Sequence, residues 1–186
     1  MKTPLRHTRY DRVFQLLDGD GDGVVRAVDG DVSVDKLLTE FGVPGDSPKA
    51  VRLRDHLAAM FEDFLGPDFR DRAGTREEFH AYMRGHPDRL ERMVEVTTGA
   101  EFDVADHDDD GVLDRPGVHR MWRAFELTPQ DAEAAFEYMD TDRDGRVTRA
   151  DYVGMWLDFL LVDDEDSPVA KVAGQEGGAG GGHGRP

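Results

Sequence analysis

The chain alternates between segments with apolar residues at helical spacing and short polar segments rich in aspartate and glycine. Apolar residues three and four positions apart lie on one face of a helix, and this spacing is clear before residue 18 and again after residue 151. The residues that carry it near the two ends are Val13, Phe14, Leu16, Leu17, Tyr152, Trp156 and Phe159. The pattern predicts amphipathic helices joined by polar loops.

Glycine, proline and N-cap residues mark the ends of the predicted helices. One helix is expected to run to about Phe41 and to end at residues 42–45, which read Gly-Val-Pro-Gly. Ser47 followed by Pro48 predicts the start of the next helix, since serine caps free N–H groups and proline suits the first helical position. Further ends and starts are expected at Gly66-Pro67, Thr75, His86-Pro87 and Thr128-Pro129.

Residues 140–151, which we call loop 4, read Asp-Thr-Asp-Arg-Asp-Gly-Arg-Val-Thr-Arg-Ala-Asp. Aspartates occupy positions 1, 3, 5 and 12, and Gly145 occupies position 6. Calcium takes roughly six to eight oxygen ligands, and short alternate side chains converge on one point only if the chain turns sharply, as glycine permits. The carbonyl of Arg146 adds an oxygen at position 7, and Thr148 contributes through water at position 9. This is the pattern of an EF-hand calcium loop.

Two other interpretations of loop 4 are a solvated acidic turn and a dockerin module. Dockerins also close the loop with Asp, but they are shorter and lack an entering helix. Phe136 lies four residues before the loop, and apolar residues at helical spacing follow it. Helices are therefore predicted on both sides, which favours a helix-loop-helix unit.

Residues 18–29, loop 1, follow the same pattern. The aspartates at positions 1, 3, 5 and 12 are Asp18, Asp20, Asp22 and Asp29. Gly23 occupies position 6, and Phe14 precedes the loop by four residues, as Phe136 precedes loop 4. Arg26 at position 9 is unfavourable, because its charge faces a site for another cation.

Residues 106–117, loop 3, lack one ligand of the pattern. The aspartates at positions 1, 3, 5 and 9 are Asp106, Asp108, Asp110 and Asp114. Position 12 is Gly117, so the carboxylate that closes an EF-hand site from the following helix is absent. Two outcomes stay open from the sequence: weak binding completed by water, or no binding.

Residues 67–78, loop 2, form a degenerate loop. With Glu78 at position 12, positions 1 and 3 are Pro67 and Phe69, whose side chains donate no oxygen. Thr75 and Glu78 instead have the spacing of a capping box. We interpret loop 2 as a structural partner that binds no ion.

Loops 3 and 4 belong to an internal repeat of 34 residues. Matches outside the loops are the more informative, because a shared packing scheme requires them and ion chemistry does not. The matched pairs are Phe102 and Phe136, Asp106 and Asp140, Gly111 and Gly145, Met121 and Met155, Trp122 and Trp156, and Phe125 and Phe159. Both tryptophans are expected in the core.

Composition narrows the class of protein. The 186 residues include no Cys, which excludes disulfides, zinc fingers and thiol catalysis and is compatible with a reducing cytoplasm. Asp and Glu number 40 against 23 Lys and Arg, and the net charge of -17 disfavours nucleic acid and anionic membranes and suits cations. The chain shows no signal-peptide pattern and no run of roughly 20 apolar residues. We therefore predict a cytoplasmic monomer.

The order of the loops predicts three regions. Residues 1–84 are expected to form an N-terminal pair of helix-loop-helix units, and residues 85–166 a C-terminal pair. Residues 167–186 are rich in glycine, and a segment of this composition buries too little apolar surface to fold. We predict that this tail is disordered.

Four loops in this order, with the second degenerate, resemble those of the calerythrin and sarcoplasmic calcium-binding protein group of the EF-hand superfamily. The resemblance covers nearly everything before the tail. It implies an all-α fold of four helix-loop-helix units, packed as two pairs in one compact body, and calcium buffering or transport without catalysis. By this resemblance the metal ligands are Asp18, Asp20, Asp22, the Val24 carbonyl and Asp29; Asp106, Asp108, Asp110, the Val112 carbonyl and Asp114; and Asp140, Asp142, Asp144, the Arg146 carbonyl and Asp151.

Three functions compete at this point: a calcium buffer, a calcium sensor that grips a target protein, and an enzyme. A sensor exposes a flexible, Met-rich groove when loaded, whereas the methionines here stand singly among aromatic residues that are typical of a shared core. This favours the buffer. The enzyme is the weakest alternative, because no nucleophile motif appears. His80 and His86, the nearest approach to a histidine pair, are expected at the surface.

Aspartate at position 12 predicts the ion preference of loop 4. Glu reaches calcium with both oxygens, whereas the shorter Asp offers a single oxygen, which suits the octahedral coordination of magnesium. Asp151→Glu should therefore tighten calcium binding and reduce competition by magnesium. Calcium titrations without magnesium and with millimolar magnesium measure both effects. Unchanged or weaker calcium binding in the variant would contradict the prediction.

Overall fold

A computed structural model describes residues 5–161, and within that range the chain consists of α-helices separated by short loops. Eight α-helices, one 3-10 helix and four short strands occur among these residues. In chain order they are α1 (Leu5–Leu17), β1 (Val24–Arg26), α2 (Ala27–Phe41), α3 (Pro48–Leu65), the 3-10 helix (Phe69–Asp71), β2 (Ala73–Thr75), α4 (Arg76–Gly85), α5 (Pro87–Ala105), β3 (Val112–Asp114), α6 (Arg115–Ala124), α7 (Pro129–Met139), β4 (Arg146–Thr148) and α8 (Arg149–Leu161). The predicted all-α class is confirmed, and the predicted tail lies outside the described residues.

The predicted helix ends are confirmed by their capping geometry. α2 ends where Gly42 adopts a φ of 66°, a left-handed conformation that glycine enters at no steric cost. At the start of α3 the Ser47 hydroxyl accepts a hydrogen bond from the Ala50 N–H at 3.2 Å. Thr75 and Thr128 cap α4 and α7 in the same way, and each lies in a capping box closed by the third helical residue.

Short antiparallel strands join the loops in pairs. β1 pairs with β2, with Val25 opposite Gly74, so loop 1 lies beside loop 2. β3 pairs with β4, with Leu113 opposite Val147, so loop 3 lies beside loop 4. The four units are therefore arranged as two pairs: an N-terminal half from α1 to α4 and a C-terminal half from α5 to α8.

The apolar faces of both halves meet in one core. Phe14, Phe102 and Phe136, each four residues before a loop, are fully buried, and α5 packs against both α3 and α8. Trp122 is buried as predicted, whereas Trp156 is only partly buried. A largely apolar cavity of about 130 Å³ remains between the halves, lined by residues from both. Among residues 5–161, no helix has both the length and the apolar character that crossing a bilayer requires.

Polar contacts also connect the two halves. Glu40 near the end of α2 pairs with Arg120 of α6 at 3.4 Å. Lys49 at the start of α3 donates a hydrogen bond to the Asp106 carbonyl at 2.5 Å and pairs with the Asp109 carboxylate at 2.6 Å, both in loop 3. The halves form one compact body through apolar and charged contacts together. The predicted domain boundary near residue 85 stays a prediction.

His80 overturns one expectation from the sequence. It was expected at the surface, but it is buried between α4 and α1. Its Nε2 is 3.0 Å from the Asp11 carboxylate, and its ring meets the Tyr10 ring edge-on at 5.9 Å. His80 and the buried Met83 are three residues apart, so they share the face through which α4 packs. His86 is exposed, as expected.

Close packing between α2 and α3 predicts opposite effects for two glycine-to-alanine changes. A Cβ atom at Gly30 would lie 2.6 Å from both Leu57 Cδ2 and Phe61 Cε2, whereas one at Gly154 of α8 meets nothing within 4 Å. Gly30→Ala should lower the free energy of unfolding by about 1–3 kcal/mol through overpacking. Gly154→Ala should raise it by about 0.5–1 kcal/mol, because alanine favours the helix. Urea unfolding of both variants tests this, and changes of equal sign would contradict it.

Candidate metal centres

Three aspartates come together in each of loops 1, 3 and 4. In each loop, carboxylate oxygens from positions 1, 3 and 5 all lie within 4.8 Å of one another. The clusters are Asp18, Asp20 and Asp22 in loop 1; Asp106, Asp108 and Asp110 in loop 3; and Asp140, Asp142 and Asp144 in loop 4. Within the described part of the chain, loop 2 contributes no such cluster.

The glycine at position 6 ties each loop to the carboxylate at position 1. The donor and acceptor pairs are Gly23 and Asp18 at 3.0 Å, Gly111 and Asp106 at 3.0 Å, and Gly145 and Asp140 at 3.1 Å. These glycines have φ angles of 87°, 81° and 82°, which residues with side chains rarely adopt. The backbone therefore wraps around the carboxylate that lies nearest the core.

Asp140 supplies an independent sign that a cation fits loop 4. The residue is 9% exposed, and its Oδ1 is buried without a hydrogen-bond donor among the described residues. A buried carboxylate oxygen without a partner is costly in free energy unless a cation or a donor satisfies it. All side-chain atoms that the cluster offers as metal ligands are carboxylate oxygens, which calcium and magnesium prefer. The residues therefore fit a hard divalent cation.

The aspartates at position 12 lie outside the clusters and cap the exiting helices instead. Asp29 Oδ2 accepts the Arg26 N–H at 2.7 Å. Asp151 Oδ2 accepts both the N–H and the hydroxyl of Thr148, at 2.9 and 2.5 Å. Asp29 is buried, and this burial raises its pKa. These caps use Oδ2 of each residue, and the assignment of both side chains as ligands stays a prediction.

Loop 3 ends differently because position 12 is a glycine. Asp114 Oδ1 accepts the Gly117 N–H at 2.8 Å and so caps α6. A Cβ atom at Gly117 would lie 3.1 Å from that oxygen, so a larger residue would crowd the cap. Asp114 lies outside the cluster of loop 3, and its predicted role as a ligand stays a prediction.

Loop 2 has the geometry of a loop that is ordered without an ion. The Glu78 carboxylate accepts the Thr75 N–H at 2.9 Å, and this hydrogen bond lowers the pKa of Glu78. The 3-10 helix occupies the first part of the loop, where the other loops carry aspartates. Loop 2 pairs with loop 1 through β1 and β2, and its inability to bind an ion stays a prediction.

Two arginines lie against the aspartate clusters. Arg26 Nη1 is 2.6 Å from Asp22 Oδ2, and this hydrogen bond lowers the pKa of Asp22. Arg146 Nη2 reaches from loop 4 to Asp110 Oδ2 in loop 3, at 3.0 Å. Sequence reasoning recognised the conflict at Arg26 but missed Arg146. The pairing of β3 with β4 was the signal that could have found it, since it sets Arg146 opposite Asp114.

Comparison with known proteins agrees with this geometry. Residues 95–157 match the family described as an EF-hand domain pair. The chain is 27% identical over 162 residues to "Probable calcium-binding protein CML21" of Oryza sativa subsp. japonica. The matched region covers 79% of this chain and 77% of that protein.

Solved structures share the fold over most of the chain. A Streptomyces coelicolor calcium-binding protein, described in terms of prokaryotic calcium-mediated regulation, is 28% identical with a TM-score of 0.71, covering 83% of this chain and 97% of that one. Magnesium-loaded apo-berovin, a light-sensitive ctenophore photoprotein, is 24% identical with a TM-score of 0.67, covering 82% and 86%; this likeness shows the fold alone. Together with the two loop pairs and the three aspartate clusters, these matches show an EF-hand domain pair over residues 95–157 and a chain that is similar over most of its length to EF-hand calcium-binding proteins.

Proposed function

We propose that the protein is a calcium buffer or transport protein that holds ions in loops 1, 3 and 4. Each aspartate cluster supplies three carboxylates, and the carbonyls of Val24, Val112 and Arg146 supply the oxygen at position 7. Asp29 and Asp151 complete loops 1 and 4, and Asp114 contributes to loop 3 at position 9. Magnesium fits the same oxygens, so the two ions compete.

The aspartates of one loop differ in burial, and we assign their proposed roles in ion binding from this difference. A bound ion supplies the positive charge that neutralises the converging carboxylates. The aspartate at position 1 is nearly buried and held by the glycine N–H, so it needs little rearrangement on binding. The aspartates at positions 3 and 5 are exposed and close the loop from the solvent side. Loop 3, without a carboxylate at position 12, is the weakest of the three.

The observation that carries the buffer is the burial of the apolar surfaces. Met83, Met121, Met139 and Met155 are buried. A sensor presents a contiguous, Met-rich surface to its target, whereas here the two halves cover each other. The exposed large apolar side chains among the described residues are Val28, Val32, Val51 and Val96.

A calcium sensor is the second candidate. The Streptomyces coelicolor protein, whose structure is described as a basis for calcium-mediated regulation, is 28% identical to this chain. The cavity of about 130 Å³ between the halves, lined in part by Met60 and Met93, leaves the core room to rearrange. As a sensor, the protein would expose these methionines when the loops fill.

Neither candidate includes catalysis, and the matched relatives are described as calcium-binding proteins. The predicted cytoplasmic location and monomeric state stay predictions.

A dye that fluoresces on exposed apolar surface separates the buffer from the sensor. For a buffer, dye fluorescence should stay low, or fall, when calcium replaces EGTA, because the ions tighten a core that is already closed. Magnesium is the control for a general effect of divalent charge. A rise that saturates with calcium, but not with magnesium, would replace the buffer with the sensor. Titration calorimetry on the same samples should give three calcium ions per chain, one for each cluster.

Loops 3 and 4 should bind cooperatively. Leu113 and Val147 hold their strands together, so ordering one loop lowers the entropy lost by the other. Asp140→Ala should abolish binding in loop 4 and weaken loop 3 by roughly five-fold or more. The Gly111 N–H resonance reports on loop 3, since this group donates to the position 1 carboxylate.

The matched control for this prediction is Asp18→Ala. It removes the same group from loop 1, which pairs with loop 2, and should leave loops 3 and 4 unchanged. If Gly111 titrates in Asp140→Ala as it does in the unaltered protein, the two loops are independent.

A further inference from the structure

The position 5 carboxylates of loops 1 and 3 share an arrangement that loop 4 lacks. In loop 1, Asp22 Oδ1 accepts the Val24 N–H at 3.0 Å, and Oδ2 holds the Arg26 guanidinium at 2.6 Å. Both oxygens of this carboxylate therefore already have partners. The backbone takes one, and a positive side chain takes the other.

Loop 3 repeats this arrangement with an arginine from a different place. Asp110 Oδ1 accepts the Val112 N–H at 3.0 Å, and Oδ2 holds the Arg146 guanidinium at 3.0 Å. Arg26 comes from position 9 of its own loop, whereas Arg146 comes from position 7 of loop 4, carried across by the pairing of β3 with β4. Arginines at two different loop positions thus contact the same atom, Oδ2 of the aspartate at position 5.

Loop 4 keeps its position 5 carboxylate clear of such a charge. Asp144 Oδ1 accepts the Arg146 N–H at 2.8 Å, but no ion pair described for residues 5–161 includes Asp144. The side chain of Arg146 is directed to loop 3 instead. Among the described residues, an entering ion therefore meets a competing cation at position 5 of loops 1 and 3 and none at position 5 of loop 4.

We propose that Arg26 and Arg146 are tethered counter-ions that set the order in which the loops fill, with loop 4 first and loops 1 and 3 after it. This inference rests on the proposed function, since it concerns the affinity of the same sites. Calcium and a guanidinium compete for the same oxygen, and the displaced guanidinium stays nearby as a repelling charge. Each arginine therefore lowers the calcium affinity of the loop whose carboxylate it holds.

In the C-terminal pair, the backbone and the side chain of Arg146 act on different loops. Its carbonyl is proposed to bind the ion of loop 4, while its guanidinium neutralises loop 3. When calcium fills loop 3, this guanidinium must leave the Asp110 carboxylate. Arg146 itself remains part of loop 4. Removing the charge should therefore act on loop 3, although the residue belongs to loop 4.

The test is a calcium chloride titration of the full chain labelled with ¹⁵N. The Gly23, Gly111 and Gly145 N–H groups each donate to the position 1 carboxylate of their own loop, so their resonances report on loops 1, 3 and 4 separately. In the unaltered protein, Gly145 should respond at the lowest calcium concentration.

Arg26→Gln should tighten calcium binding in loop 1 by roughly ten-fold at low ionic strength, with smaller changes in the other loops. Arg146→Gln should do the same for loop 3. The matched control is Arg143→Gln, at the exposed position 4 of loop 4, which changes the net charge equally. It should alter no loop by more than about two-fold, because exposed charges are screened. Arg26→Lys keeps the charge and should remain closer to the unaltered protein than Arg26→Gln.

The outcomes separate this inference from the function on which it rests. If none of the three glycine resonances responds to calcium in the unaltered protein, the proposed function is wrong and the inference falls with it. If they respond normally but Arg26→Gln and Arg146→Gln behave like Arg143→Gln, only the inference is overturned. The gain in calcium affinity from each substitution should shrink as salt is added, since the arginine effect is electrostatic, and a gain that does not change with salt would count against the inference.

Discussion

Repulsion between aspartates that must point at one centre is the constraint on which the rest of the structure depends. Three carboxylate oxygens within 4.8 Å of one another repel strongly when no cation lies between them. Groups of the chain itself oppose this repulsion. The glycine N–H at position 6 binds the carboxylate at position 1 in each loop, and the side chains of Arg26 and Arg146 bind the carboxylates at position 5 of loops 1 and 3. The flanking helices hold the ends of each loop, because their apolar faces are fixed in the shared core. Core packing thus keeps the carboxylates where they would not stay on their own.

The two loop pairs differ in how ion binding in one loop would affect its partner loop. Loop 1 lies beside loop 2, whose Glu78 already closes a capping box and whose first part is a 3-10 helix. These contacts lie within loop 2 itself, so this partner would have little to gain from an ion in loop 1. Loops 3 and 4 both carry aspartate clusters, so each would gain order from an ion of its own under the proposed function. Under the proposed function, the same strand pairing would leave loop 1 an independent site and couple loops 3 and 4.

Local signals predicted most of the fold, because capping and helical spacing depend on residues close together in the chain. Ser47 and Thr128 cap helices where the sequence places them. The features that escaped depend on which elements meet in space. His80 is buried only because α4 packs on α1. The spacing of Asp29 and Asp151 suits both an ion ligand and a helix cap, and sequence cannot distinguish these roles, since position 12 of the loop is also the third residue of the exiting helix.

The single core limits how the chain can be divided. His86 is exposed and is the single residue between α4 and α5, so it is the point at which the chain divides into its two halves. Either fragment alone would leave a large apolar face uncovered, because α3 packs against α5 across that break. The two fragments mixed together could reassemble through these faces without a covalent link. Either half taken alone would therefore lack part of its core, and the geometry of its aspartate clusters would depend on the presence of the other half.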